Sequence, residues 1–370
     1  MPRTTVLVPY DRLSRRHGAL THLDARTHDV LIVDSARMHA SQPWGAQRLL
    51  FLHSCVAHLA AELEAQGITV HRMNADTVAD GVRAHMAATG SAVTCTRPSS
   101  FALERALTQA GVTFDDDTGF LTSRTEFAQW VGGQRSLRME SFYRWQRTRL
   151  DVLMDGDQPV GGTWNLDAEN RLPPPRGAHD WPEPLTHERD AVDDAVAAEL
   201  ATRGLIPAGA RLDPAWATTR AGALRQLEHF IEHVLPQFGP YEDAMPRGTW
   251  SVHHSLLSPY LNVGLIDPDE VVAAAERRFA RGDVPLASME GFIRQVIGWR
   301  EYVHGLYWHL GPSYREHNAL AADRPLLPVL TEPSRSQMAC VTSIVADIDE
   351  RGWVHHIPRL MVLSNLALLT

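Results

Sequence analysis

Residues 47–114, QRLLFLHSCVAHLAAELEAQGITVHRMNADTVADGVRAHMAATGSAVTCTRPSSFALERALTQAGVTF, decide the architecture of the amino-terminal third. A helical apolar period runs through 47–66 and stops at Gly67. Short apolar runs at 68–71, 92–96 and 112–114 then alternate with helical stretches at 77–89 and 99–109. Two more strand candidates precede them, at 5–9 and 29–34. Strand and helix in alternation predict a parallel sheet, because a parallel pair needs a long crossover and a helix supplies it. An α/β domain is therefore expected over residues 1–125. It carries no GxGxxG and no GxxxxGK[ST] run, so neither the standard dinucleotide site nor a P-loop is expected there.

Beyond it, 161–182 reads GGTWNLDAENRLPPPRGAHDWP, too rich in glycine and proline for a regular element. Residues 126–215 are read as a connector that contains this linker. Helical periodicity returns at 224–235, 268–281 and 288–309, so 216–370 is expected to be an all-α domain.

With 370 residues and 44% apolar content the chain can bury a large core. A formal charge of −9 disfavours loose attraction to polyanions while leaving room for a locally basic face. The sequence contains no lysine, so its permanent cations are all arginines, the side chain suited to bidentate phosphate contacts. Cys55, Cys95 and Cys340 are too dispersed for a disulfide framework or a metal motif. With no signal peptide and no long apolar span, a cytoplasmic location without membrane contact is expected.

Four stretches carry chemistry. RSLRMESFYRWQRTR (135–149) sets Arg135, Arg138, Arg144, Arg147 and Arg149 against one glutamate and interleaves Phe142, Tyr143 and Trp145. Such a helix either tracks a phosphate backbone with stacking rings or packs its aromatic face in the core with the arginines solvated. GTWSVHHSLLSPYLNVG (248–264) offers His254, Ser255 and Ser258 near a helix start, suited to phosphate oxygens, with Ser258 before Pro259 equally a plain cap. SMEGFIRQVIGWREYVHGLYWH (288–309) repeats Phe292, Val296, Trp299 and Tyr302 at helical spacing, which serves a core or, with Trp308, a ring-binding pocket. His355 and His356 can place one ring toward a ligand while the other orients it, or can be ordinary helix histidines. Neither HHS nor HHI has a well-spaced set of further ligands beside it, which argues against a metal-dependent hydrolase. The closing run MVLSNLALLT ends without a glycine or polar cap and is expected to be the front of a longer helical segment.

YEDAM (241–245), HHSLLSPYLNVGLIDP (253–268), EGFIRQVIGWREYVHGLYW (290–308), QMAC (337–340) and HHIPRLMVLSNLALL (355–369) resemble the cryptochrome/photolyase superfamily, specifically its bacterial iron-sulfur branch, which includes (6-4) photolyases. SARMHA (35–40), RMESFYRWQR (138–147) and GGTWNLDAENR (161–171) resemble the same branch. The resemblance implies an α/β antenna-type domain followed by an all-α FAD-binding domain, and light-driven electron transfer from reduced FAD to an ultraviolet photoproduct in DNA. It implies FAD contacts from Tyr241, His254, Ser255, Leu257, Ser258, Trp299, Arg300 and Arg359, lesion contacts from His355 and His356, and a duplex-facing role for the five arginines. A lumazine-type antenna would belong to the first domain. Cys340 occupies what resembles the first ligand position of a [4Fe-4S] cluster; the other three thiolates are absent from the chain, as is the carboxylate expected to pair with Arg359. Pro358 stands where glutamine is usual. A non-catalytic cryptochrome-like binding or signalling protein, or a shortened paralogue without cofactor, is the alternative that these departures imply.

Overall fold

The computed structural model describes residues 3–116, 119–177, 179–332 and 336–369; Thr370, which closes the apolar run, lies outside the described residues. Its contacts group the chain into two units, Met1–Ser123 with Thr186–Leu224 and Leu257–Asp267, and Arg124–Leu185 with Arg225–Leu256 and Pro268–Thr370. The stretch read as a connector is thus shared between them.

The first unit holds the expected parallel sheet. Strands β1 (Thr4–Leu7), β2 (His28–Ser35), β3 (Thr69–Ala75), β4 (Val93–Thr96) and β5 (Thr113–Asp115) lie in the order β3-β2-β1-β4-β5, all parallel. Val30, Leu31, Ile32 and Val33 are buried consecutively, as a strand covered on both faces requires. β1 is shorter than the 5–9 reading because Pro9 has no N–H to extend the ladder, whose last bond runs from Val8 N–H to the Leu31 carbonyl (2.9 Å). β3 is longer than 68–71 because it is an edge strand, where polar His71, Arg72 and Asn74 are tolerated and hide the apolar signal.

Helices α1 (Ala36–Ala40) and α2 (Ala46–Ala65) fill the β2–β3 crossover, α3 (Val78–Thr89) the β3–β4 crossover and α4 (Phe101–Gln109) the β4–β5 crossover, whereas β1 reaches β2 through a loop with one 3-10 turn at Gly18–Leu20. Thr77 and Ser100 start α3 and α4 by accepting the amides of Asp80 (3.1 Å) and Leu103 (3.5 Å), and Gly90 ends α3 at φ +70°. The helix Ala191–Thr202 joins this unit through His58, whose Nε2 lies 3.3 Å from Asp193, and Tyr260 joins it through its hydroxyl, which accepts the Ala217 amide (3.1 Å).

The second unit is mainly helical, as the periodicity predicts, with one short antiparallel pair, Met154–Asp155 and Gln158–Pro159. Phe127, Trp130, Phe142 and Tyr302 form a buried aromatic cluster in it. The helix expected over 288–309 runs as Leu286–Ile293, a wider π-turn Arg294–Arg300, and Glu301–Leu310. Further π-turns occupy Phe230–Val234 and Pro358–Ser364, a geometry that inserts an extra residue and re-aims side chains. Pro358 falls in the first turn after Ile357, where a missing N–H leaves no helical bond unmade. No described helix is long and apolar enough to cross a membrane.

Candidate functional site

Two histidine pairs far apart in sequence meet in the second unit. The rings of His254 and His355 stack with centroids 4.3 Å apart at 26°, and His356 meets His254 edge-on at 5.4 Å. Trp353 flanks both His254 (6.3 Å) and His355 (6.5 Å) and is itself packed against Trp250 at 5.5 Å. His356 Nε2 lies 3.3 Å from the Asp243 carboxylate, and this pair is the part that solvent reaches, with side chains 33% and 36% exposed. His355 is buried. His355 stands just before the helix that begins at His356.

Electrostatics follow from this burial. Burial first, then the neighbouring histidines, holds His254 well below the usual imidazole range. Burial also lowers His355 to about 3, with His356 and Arg359 adding to the effect. His356 is lowered by burial too, opposed by Asp243. At neutral pH the cluster consists of uncharged rings.

Glu242 and Glu290 are buried carboxylates of the same unit. Glu242 accepts from Gln295 Nε2 at 2.7 Å, and burial raises its carboxyl to about 8, so it holds a proton at neutral pH. Arg294, on the π-turn, pairs with Asp167 (3.0 Å) and Glu290 (3.4 Å). His253 turns to a different set, stacking on Tyr241 at 5.4 Å beside Trp181 and His179. Burial lowers its imidazole to about 4.

A shared feature of this region is buried polar atoms left without hydrogen bonds among the described residues: Gln226 Oε1, Glu242 Oε2, Ser251 Oγ, both ring nitrogens of His253, His254 Nε2 and His355 Nδ1. Folded chains rarely leave such atoms unpaired, each costing roughly 1–3 kcal/mol. A polar ligand with many acceptors and donors, as FAD is, fits that set of acceptors and donors. Tyr241, His254 and Ser255 stand among these atoms, and the Ser255 carbonyl accepts from Gln226 Nε2 (3.2 Å).

Leu257 and Ser258 belong to the first unit, Leu257 buried and Ser258 exposed. Ser258 is not the expected cap: the short helix Ser258–Val263 starts on it, with Leu257 in the cap position and no side-chain cap bond. Trp299 is 46% exposed, and Arg300 pairs with buried Glu301 at 2.9 Å. Trp308 is taken up by Arg124, whose guanidinium lies 3.2 Å from the ring centroid, and by His304 (3.0 Å). Arg359 is exposed, close enough to His355 and His356 to act on both. Cys340 is exposed at the start of the helix Ala339–Arg351, while Cys55 and Cys95 are buried in the first unit.

The arginine-rich helix Met139–Leu150 divides its charges. Arg135, Arg138 and Arg144 are exposed, and Arg149 is held by Glu126 (2.8 Å) and Gln146 (3.0 Å). Arg147 is a correction: it is completely buried and donates to the carbonyls of Val152 (3.3 Å), Leu153 and Trp164 (3.3 Å), so it braces a turn and faces no duplex. Phe142 and Tyr143 are core residues in the same way. The roles of Asp243, Glu242, Arg294 and Trp353 escaped the sequence reading. Acids inside YEDAM and the Glu290–Arg294 spacing inside EGFIR were the available signals.

Comparison with known proteins agrees with this architecture. The family model for deoxyribodipyrimidine photo-lyase-related protein matches residues 6–216. A (6-4) photolyase of Agrobacterium fabrum is 35% identical over 387 aligned residues, 98% of this chain and 74% of the relative. Two uncharacterized proteins of Acanthamoeba polyphaga mimivirus match short stretches, at 31% identity over 64 residues (16% of this chain, 33% of the relative) and 38% over 71 (19% and 54%). The fold superposes on the crystal structure of a bacterial class III photolyase from Agrobacterium tumefaciens with a TM-score of 0.63 and 19% identity, covering 99% of this chain and 73% of that one. The chain belongs to the deoxyribodipyrimidine photo-lyase-related protein family.

Proposed function

We propose that this chain is a photolyase-like flavoprotein that repairs an ultraviolet photoproduct of the (6-4) class in DNA by light-driven electron transfer. The carrying observation is the meeting of His254, His355 and His356 beside buried polar atoms that lack partners. Reduced FAD, when bound, supplies the photoexcited electron that no side chain carries. Tyr241, His254 and Ser255 hold it in the second unit. Trp299, Arg300 and Arg359 belong to the same binding set. His356, oriented by Asp243 and reachable from solvent, hydrogen-bonds the extruded photoproduct; His355 is buried behind it and positions it. Arg135, Arg138 and Arg144 meet the phosphate backbone. A lumazine-type antenna would lie in the first unit.

The test is a blue-light assay with the FAD-reconstituted chain and an oligonucleotide carrying one (6-4) photoproduct. Repair is expected in light and not in darkness, and His356→Ala should slow it by about 100-fold or more. Flavin retention and lesion binding without light-dependent repair would instead establish the non-catalytic, cryptochrome-like reading.

A further inference from the structure

The two histidine pairs were poor metal candidates one at a time, because neither HHS nor HHI has ligands at useful spacing. Folding changes that. One ring nitrogen from each of His254, His355 and His356 lies within 4.8 Å of the other two. We propose that these three histidines form a binding site for one zinc-class divalent cation.

Two of the three rings carry a buried nitrogen without a hydrogen-bond partner among the described residues. His254 hydrogen-bonds the backbone of Glu242, and its Nε2 is buried without a hydrogen-bond partner among the described residues. His355 is 4% exposed, and its Nδ1 is likewise buried and unpartnered. His356 directs Nε2 to Asp243 at 3.3 Å, which leaves Nδ1 with the lone pair. A backbone contact on one ring and a carboxylate on another are the outer interactions that orient metal-binding histidines.

Three neutral imidazoles suit zinc, cobalt(II) or nickel(II) better than magnesium or calcium, which prefer oxygen. A tetrahedral site with Zn–N of about 2.0–2.1 Å places its nitrogens about 3.3 Å apart. The nitrogens therefore close by at most about 1.5 Å, and the His254 and His355 rings turn out of their 26° stack so that both in-plane lone pairs converge on the ion. His356 and Asp243 give the ion an entry path, since both are partly exposed. Three protein ligands leave the fourth position to water or to a substrate oxygen. Arg359 opposes the added charge and Asp243 offsets it.

The ion uses His254 and His356, which the proposed function gives to flavin and photoproduct, so it would occupy the site in their absence and is tested on the full chain without FAD or DNA. Cobalt(II) titration should give the visible d–d bands of a tetrahedral nitrogen site, saturating at one ion per chain, and zinc should displace it. His254→Gln, His355→Gln and His356→Gln should each weaken binding at least tenfold, and Asp243→Asn by about tenfold or more. His53→Gln, which breaks a separate cluster with Asp34 and His39 in the first unit, should leave it unchanged. Circular dichroism establishes that each variant is folded, and zinc should raise the melting temperature of the parent chain but not of His355→Gln. Absence of cobalt bands, binding that His355→Gln leaves undiminished, or binding lost with His53→Gln would overturn the proposal.

Discussion

Glu242 and Arg147 show how burial assigns work to single residues. Burial raises the Glu242 carboxyl from an ordinary value near 4.5 to about 8. Between those values the unfolded chain has released the proton and the folded chain keeps it, so stability is full below about pH 4.5 and falls as pH rises toward 8. Glu242→Gln should flatten that slope, leaving the melting temperature unchanged at pH 5 and raising it at pH 8–9 by an amount equivalent to a few kcal/mol. A parallel fall in parent and variant would contradict the assignment. Arg147 supplies donors to three buried carbonyls. Arg147→Met should therefore cost about 3 kcal/mol in chemical denaturation. Arg144→Ala should keep the fold and instead lower the salt dependence of DNA binding by about one unit of slope. Interchanged effects would mean that the two arginines have been assigned the wrong roles.

Among the elements, the caps and the helix 286–310 carry the most information. Thr77→Ala and Ser100→Ala should each cost about 1 kcal/mol, and the two should add because the sites are separate. Gly305 lies against the buried Phe127 ring, where a β-carbon would overlap ring atoms. Gly305→Ala should lower stability by about 1–3 kcal/mol despite alanine's better helix propensity, measured by urea denaturation; a stabilised variant would show that the aromatic cluster yields. These elements were legible to different depths. Helices α2 to α4 and the central strands declared themselves by period and by cap residues such as Thr77 and Ser100. The edge strand β3 was read short because polar side chains on an edge resemble a loop. Neither Arg147 nor the π-turn Arg294–Arg300 was legible, since charge pattern alone cannot say which arginine turns inward and a π-turn keeps an ordinary helical period.

For the whole molecule, the two-part architecture followed from strand and helix alternation giving way to helices, and motif resemblance named the family. The candidate site was only half visible. His253–His254 and His355–His356 could each be picked out, but their meeting depends on long-range packing that no local spacing encodes. Asp243 acquires meaning only once His356 stands beside it. Flavin retention tests most directly the proposal that this site belongs to a flavoprotein. After incubation with FAD and desalting, the full chain should keep about one flavin per molecule by its visible spectrum, and Tyr241→Ala with Ser255→Ala should release it while circular dichroism stays unchanged. Flavin recovered entirely in the small-molecule fraction from the folded parent chain would contradict the claim.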